Sequence, residues 1–330
     1  MTEPNGQTLE VELAPRHPKG LRLANPVMTA SGTFGYGIEL ADLLDIQRLG
    51  AIVCKGTTLL PREGNPQPRV AETPSGMLNS IGLQNVGVRC VVTDKAPVWA
   101  RWKVPVIVNI SGETVEEYRD IAAALEGVPG VSGIEVNISC PNVAEARIEF
   151  GRSVRLAAKV TEAVRSATTL PVIVKMTPNV TDVTEIARAV ADSGADAISA
   201  INTLIGMAID VRLKRPLLGA GTGGLSGPAI RPVAVAMVYQ IRQAVDIPIV
   251  GIGGVETASD ALEFIMAGAT AVQIGTANFR NPKACLDVIA GIQDFMRREG
   301  IRDINDLVGA AVSQPEHGRR GVWPSVDKGR

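Results

Sequence analysis

Short runs of consecutive apolar residues alternate along this chain with longer stretches in which apolar positions recur every three or four residues. The short runs are Val27–Ala30, Ala51–Lys55, Val106–Ile110, Ile134–Ser139, Val172–Met176, Ala197–Ile201, Ile249–Ile252 and Ala271–Ile274. They are rich in β-branched residues and apolar at nearly every position, as parallel strands covered on both faces are. The stretches of helical period are Glu39–Arg48, Asn85–Trp102, Thr114–Leu125, Arg152–Ser166, Val183–Ser193, Ala229–Ala244, Ala258–Ala267 and Pro282–Arg298. Asp and Thr precede several of them as caps, and Gly50, Gly194 and Gly268 each close a helical run just before a strand.

This alternation predicts an α/β fold, a closed (β/α)8 (TIM) barrel. The alternative is an open doubly wound sheet, but no G-x-G-x-x-G follows the first strand. Glycine pairs instead follow the seventh and eighth strands, where barrels commonly hold phosphate. Leu9–Leu13 and Gly20–Leu23 read as a short N-terminal hairpin under the barrel bottom. The connections Gly56–Leu83 and Asn202–Pro228 are unusually long and follow strands, which predicts long loops on the C-terminal, active face. Residues 1–312 are expected to form a single domain, with the polar segment 313–330 as a flexible tail.

Composition narrows the function. The chain has 330 residues, 45% of them hydrophobic, and a formal net charge of -1, with Lys and Arg scattered. A sizeable core is possible, and a nucleic-acid partner is disfavoured. No apolar stretch is long enough to span a bilayer, and Met1–Gln7 lacks the marks of a signal peptide, so a cytoplasmic protein is expected. Cys54, Cys90, Cys140 and Cys285 lie far apart, without metal-ligand or disulfide spacing. They predict reduced thiols, no metal and no iron–sulfur site within the chain itself. His17 and His317 are the only histidines, which speaks against a Ser-His-Asp triad or a His-based zinc site.

Barrel sites are built at the C-terminal ends of strands. Those ends carry Ser31-Gly32, Lys55-Gly56, Asn109, Asn137 to Asn142, Lys175, Asn202-Thr203, Gly253-Gly254 and Gly275-Thr276. Lysines and asparagines recur and carboxylates are nearly absent, the wrong set for glycoside hydrolysis. The set suits a flat, carbonyl-rich ring that becomes anionic. Lys55 and Lys175 end apolar strands, where a charge faces either a ligand or a desolvation cost. The glycine turns can offer backbone N–H groups to phosphate, and a helix starting near Thr257 adds a positive dipole end. The same glycines also suit ordinary strand-to-helix turns. In Asn137-Ile138-Ser139-Cys140-Pro141-Asn142 one thiol stands between two carboxamides, as a nucleophile, a general base or a buried structural cysteine.

These residues fall into ordered motifs: T-A-S-G-T-F-G-Y-G at 29–37, C-K-G-T-T at 54–58, L-N-S-I-G-L-Q-N at 78–85 and N-I-S-C-P-N-V at 137–143. V-K-M-T-P-N at 174–179, I-N-T-L-I-G-M-A-I-D at 201–210, G-G-L-S-G-P-A-I-R-P at 223–232, G-I-G-G-V at 251–255 and V-Q-I-G-T-A-N-F at 272–279 follow. In these motifs the chain resembles the class 1 dihydroorotate dehydrogenases, specifically the NAD-linked type B catalytic subunit.

The resemblance implies one FMN per chain, with Ser31, Lys55, Gly56, Asn109, Asn137 and Lys175 as flavin contacts on the first five strands. Ile201, Gly227, Gly253, Gly254, Gly275 and Thr276 would complete the flavin site. Lys55, Asn79, Ser80, Ile81, Gly82, Leu83, Asn137, Asn142, Asn202 and Thr203 would meet dihydroorotate. Cys140 matches the family's catalytic base. The implied reaction forms orotate in pyrimidine biosynthesis, with electrons leaving to NAD⁺ through a partner subunit carrying FAD and a 2Fe–2S cluster. A homodimer core within a heterotetramer is the implied assembly. After C-P-N-V this chain has no glycine until Gly151, which predicts a stiffer or partly helical lid over residues 144–150. Rival readings are a fumarate-linked type A enzyme, another FMN barrel acting on dihydropyrimidines, and a non-redox phosphate-binding barrel.

Overall fold

The computed structural model of the chain describes residues 6–138 and 150–312. Eight parallel strands close a barrel: β1 (Val27–Thr29), β2 (Ala51–Val53), β3 (Val106–Ile110), β4 (Gly133–Asn137), β5 (Val172–Lys175), β6 (Ala197–Ala200), β7 (Ile249–Ile252) and β8 (Ala271–Ile274). Each pairs with its sequence neighbours, and β8 closes on β1 through Val272 opposite Val27. Lys55, Met176 and Ile201 fall just past their strands, where the chain turns into the active-face loops.

The registers stack polar side chains inside the barrel. Asn109 on β3 lies opposite Glu135 on β4, Asn137 opposite Lys175 on β5, and Lys175 opposite Ser199 on β6. Side chains on a strand alternate between faces, so Glu135 and Asn137 point the same way, one layer apart. The apolar core runs unbroken from Leu9 through the barrel and the helical layer to Leu307.

The helices over 115–125, 154–167, 183–192, 231–242 and 258–266 stand where the periodicity puts them, within two residues at each end. Thr114, Ser153, Asp182 and Thr257 cap four of these through their side chains. The last long helix, Ala284–Glu299, ends at Gly300 in the left-handed region at φ 69°.

Two expected helices differ. The segment 39–48 forms only the 3-10 turns Ile38–Leu40 and Ile46–Arg48. Asp45 takes the Gln47 N–H with its own carboxylate and leaves helical geometry, which divides the run. The segment 85–102 is helical from Gly87 to Trp99, with a π turn at Val91–Lys95. Pro97 lacks an N–H and crowds the carbonyl four residues back, and the widened turn before it relieves that contact. A short helix, Ala277–Arg280, was not expected and follows β8 directly.

The long connections also differ from plain loops. They pair into a four-stranded antiparallel sheet of Leu204–Gly206, Gly223–Ser226, Gly76–Asn79 and Val70–Thr73, beside a hairpin of Ile209–Asp210 with Arg215–Pro216. The sheet roofs one side of the barrel mouth. A Cβ on Gly76 would lie 1.9 Å from the Ser226 carbonyl oxygen, so the close approach of these strands requires glycine there. At the opposite end Val11–Glu12 pairs with Arg22–Leu23 as the expected hairpin. The Glu12 carboxylate accepts from the Ala14 and Leu21 amides at 2.8 and 2.6 Å and fixes its turn. The proposed tail, 313–330, lies outside the described residues.

Candidate functional site

An open cavity of about 220 Å³ lies at the C-terminal ends of the barrel strands. Its wall brings together every described residue of the expected flavin set: Ser31, Lys55, Gly56, Asn109, Asn137 and Lys175 on one side, and Ile201, Gly227, Gly253, Gly254, Gly275 and Thr276 on the other. Asn79, Ile81, Gly82, Leu83, Asn202 and Thr203 of the expected substrate set line the same space. Ser80 does not. It is buried behind the wall, where its hydroxyl accepts from Asn65 Nδ2 at 2.8 Å. Cys140 and Asn142 lie outside the described residues.

The polar end of the cavity is built from the barrel interior. Asn109 Nδ2 donates to Glu135 Oε1 at 2.7 Å, and Ser199 Oγ and Gln273 Nε2 donate to Oε2 at 2.9 and 2.6 Å. Lys175 Nζ stands 3.7 Å from Glu135 Oε1 and donates to Ser31 Oγ at 3.4 Å. Lys175 is 5% exposed, so its head does not escape to the rim; it is held at the cavity floor. Asn202 Nδ2 donates to Asn137 Oδ1 at 3.3 Å, joining two of the amides that face the cavity. The Asn137 carbonyl accepts from the buried Tyr118 hydroxyl at 2.7 Å, and Tyr118 meets Phe150 edge-on at 5.6 Å. Asn109 Oδ1 is buried and has no hydrogen-bond partner among the described residues.

The glycine end differs in one respect from the sequence expectation. Thr257 begins the helix over 258–266, but its N–H and that of Glu256 are both taken by the Asp260 carboxylate, at 2.9 and 3.0 Å. Asp260 is in turn paired with Arg231. A capping box thus closes the start of this helix beside the glycine turns. Gly227, Gly253 and Gly254 have φ of 90, 128 and 76°, conformations that an L side chain rarely adopts. Thr276 Oγ1 donates to Ser226 Oγ at 2.8 Å beside them.

Thiol chemistry is confined. Burial pushes the Cys54 and Cys285 thiols up to about 12, and neither lines the cavity. Cys90 sits in a helix against Asp94 at 3.3 Å, its pKa raised by desolvation and that carboxylate. No group of three or more His, Cys, Asp or Glu residues able to hold a metal occurs among the described residues.

Sequence reasoning missed Glu135, Ser199 and Gln273, which support the wall from below. The available signal was a single acid inside the apolar run Ile134-Glu135-Val136. It also missed the cavity-lining Thr33 and Glu256 in loops, Met77 and Ser226 in the roof strands, and Phe279 in the short helix after β8.

The chain matches the family model for dihydroorotate dehydrogenase over residues 15–296. It is 58% identical over 291 residues to the dihydroorotate dehydrogenase B (NAD(+)), catalytic subunit, of Desulforamulus reducens, covering 88% of this chain and 96% of that protein. It is 54% identical over 305 residues to the protein of the same name from Geotalea uraniireducens, covering 92% and 98% of the two chains. Its fold matches that of the Eimeria tenella enzyme crystallised with ferulenol at a TM-score of 0.78 and 23% identity, over 95% of this chain and 90% of that one. With these likenesses spanning nearly its whole length, the chain belongs to the dihydroorotate dehydrogenase family and stands within it among the catalytic subunits of the NAD(+)-linked B type.

Proposed function

We propose that this chain oxidises (S)-dihydroorotate to orotate, the dehydrogenation of pyrimidine biosynthesis, with FMN bound in the cavity. The observation that carries the reading is the composition of that one wall: lysine and asparagine side chains at one end, glycine turns at the other. The donor set fits the cofactor. A phosphate can approach the backbone at Gly253, Gly254 and Gly275, and a ring bearing carbonyls and an N–H can face Lys175 and the orphan Asn109 oxygen. When bound, FMN supplies a two-electron acceptor at N5.

The chain's own residues then do three things. Asn79, Asn137 and Asn202 would pair with the amide and carboxylate edges of the substrate and fix its ring in the cavity, so orientation removes much of the barrier. The Cys140 thiolate takes the C5 proton as the C6 hydride departs, and the C5=C6 bond of orotate forms. Cys140 lies outside the described residues, but its motif leaves β4 at Asn137, on the wall, and the other thiols are buried or remote. Lys55 and Lys175 stabilise negative charge that develops on the ring side of the cavity.

Electrons then pass to an electron-transfer subunit. We take this partner to carry FAD and a 2Fe–2S cluster and to reduce NAD⁺, with the catalytic chains as a homodimer core within a heterotetramer. A row of exposed apolar residues, Ile205, Met207, Ile209, Val211 and Leu213, lies on the roof beside the cavity and offers surface for protein contact. No helix among the described residues is long and apolar enough to cross a membrane. The reading includes a cytoplasmic location and one barrel domain over residues 1–312.

The test is spectroscopic. The purified protein should be yellow with a flavin spectrum, the spectrum should shift on adding orotate, and dihydroorotate should bleach it anaerobically. A colourless protein that takes up no flavin would exclude the reading. Steady turnover with fumarate would move the chain to the type A reaction.

A further inference from the structure

The barrel interior holds one carboxylate that the reaction does not use. Glu135 is fully buried, and its two oxygens accept from three different strands: Asn109 on β3, Ser199 on β6 and Gln273 on β8. Three donors and the Lys175 ammonium surround the two oxygens, which act as acceptors. The Asn109 carboxamide must therefore turn its NH2 to Glu135, and this leaves Oδ1 on the other side. That oxygen has no partner among the described residues, and it faces Gly56, a neighbour on the cavity wall. A Cβ on Gly56 would sit 2.9 Å from it, so only glycine fits beside the oxygen.

We propose that Glu135 is a positioning residue: it holds the Asn109 carboxamide with its oxygen turned to the cavity, so that the site selects a ring that donates an N–H there. The inference rests on the flavin reading above. Oxidised isoalloxazine has a single ring N–H, at N3; of the buried unpartnered polar atoms among the described residues, on Thr73, Asn109, Ser111 and Gln273, only Asn109 Oδ1 belongs to a residue of the cavity wall. An acceptor buried without a partner costs more than the net value of an ordinary hydrogen bond, so the ligand that supplies the donor gains that difference. An apolar residue would fill the barrel but would strand the donors of Ser199 and Gln273 and the Lys175 ammonium, and it would leave the Asn109 amide free to turn either way.

The substitution Glu135→Gln keeps the volume and removes this rule. Its amide oxygen serves Ser199 and Gln273, and its NH2 then faces the Asn109 NH2. Asn109 resolves the conflict by turning over, which presents a donor to the ring N–H. The double variant Glu135→Gln with Asn109→Asp reverses the polarity of the pair. The introduced carboxamide donates, the introduced carboxylate accepts with one oxygen, and the second oxygen of that carboxylate again faces the cavity.

The readout is the affinity of flavin-stripped protein for FMN, from quenching of flavin fluorescence, with a thermal melt of each apo-protein as the folding control. Glu135→Gln is expected to weaken FMN binding by about tenfold or more, the equivalent of one buried hydrogen bond. The double variant is expected to recover most of that loss. Wild-type affinity in Glu135→Gln would overturn the proposal. So would a folded double variant that binds no better than the single one. If Glu135→Gln does not fold, the double variant decides alone: folded and tight-binding supports the proposal, folded and weak-binding overturns it. Wild-type protein that binds no FMN would sink the flavin reading itself, a result distinct from all of these.

Discussion

Substituting Gly254 by alanine should cost this protein its flavin before it costs the fold. Gly254 has φ of 76°, and a Cβ built there lies 2.8 Å from both the Gly227 carbonyl oxygen and the Arg231 Cβ. The new methyl meets the start of the helix over 231–242 and the wall residue Gly227. Two penalties follow. The left-handed conformation costs an L residue about 1–2 kcal/mol. Relieving the overpacked contact costs about 1–3 kcal/mol more. A domain typically has about 5–15 kcal/mol of stability, so the sum of about 2–5 kcal/mol leaves it folded. The cheapest relief is a shift of the Gly253–Val255 turn, which is the same turn proposed to hold phosphate.

A hydrogen bond to a charged group is worth about 1.5–3 kcal/mol, so losing one weakens FMN binding by roughly 10- to 150-fold. The comparison variant is Gly275→Ala. Its Cβ would meet Ala30 at 3.4 Å and Thr33 at 3.8 Å, ordinary contacts without a positive φ. It should melt with the wild type, within about 0.5 kcal/mol. Fluorescence titration of the stripped proteins, with a urea unfolding curve for each, measures both quantities. A Gly254→Ala protein that is destabilised as calculated but binds FMN with wild-type affinity would refute the placement of phosphate against this turn.

The other predictions concern separate parts of the site. Cys140→Ser should retain FMN and orotate binding but bleach far more slowly with dihydroorotate, with a rate that rises at high pH, because a hydroxyl is harder to deprotonate than a thiol of pKa about 8.5; stopped-flow absorbance checks it. Lys55→Ala should slow the same bleaching with little effect on the urea midpoint, since it removes a cation from the wall without opening the core. Tyr118→Phe should destabilise the chain by about 1–3 kcal/mol in urea, because the buried Asn137 carbonyl loses the hydroxyl 2.7 Å away. Cys54 and Cys285, raised from 9.0 to about 12, stay protonated in the native state while the unfolded thiols ionise, so stability should fall between about pH 9 and 12 and be unaffected by them below that; native protein should leave both unreactive to a thiol reagent until it unfolds.

The barrel could be read from the sequence because its strands are apolar on both faces, and its helices carry one apolar stripe each. Val172–Lys175 and Val183–Asp192 illustrate the contrast, a solid run followed by a periodic one. The roof could not be read in this way. Its strands are two to four residues long, partly exposed and rich in glycine, and Gly224 pairs with Asn79 from a distant part of the chain. Their stability comes from that non-local pairing, which no local pattern records. The failed helix over 39–48 has the right period, but Asp45 offers the backbone a competing partner, and the short segment packs too little to overcome it.

The site divides along the same line. Residues at strand ends were legible because the barrel rule converts sequence position directly into placement, and Lys55, Asn109, Asn137 and Lys175 all stand on one wall as a result. Glu135 was not, because it lies inside a strand, two residues before Asn137, where the rule assigns only packing. An isolated acid in an apolar run has two meanings: an error in the strand assignment, or a charge with partners on other strands. The sequence shows no partners, since Asn109, Ser199 and Gln273 are 26, 64 and 138 residues away. Only barrel closure brings them together. The desolvation cost of a buried carboxylate makes such an assembly necessary once the acid is there, so the acid itself marks a place where several strands must supply donors. In a barrel that place is the layer beneath the active face. A lone acid one pleat below a functional strand end is therefore a signal of a supporting network, and one that can be sought in sequence once the barrel is recognised.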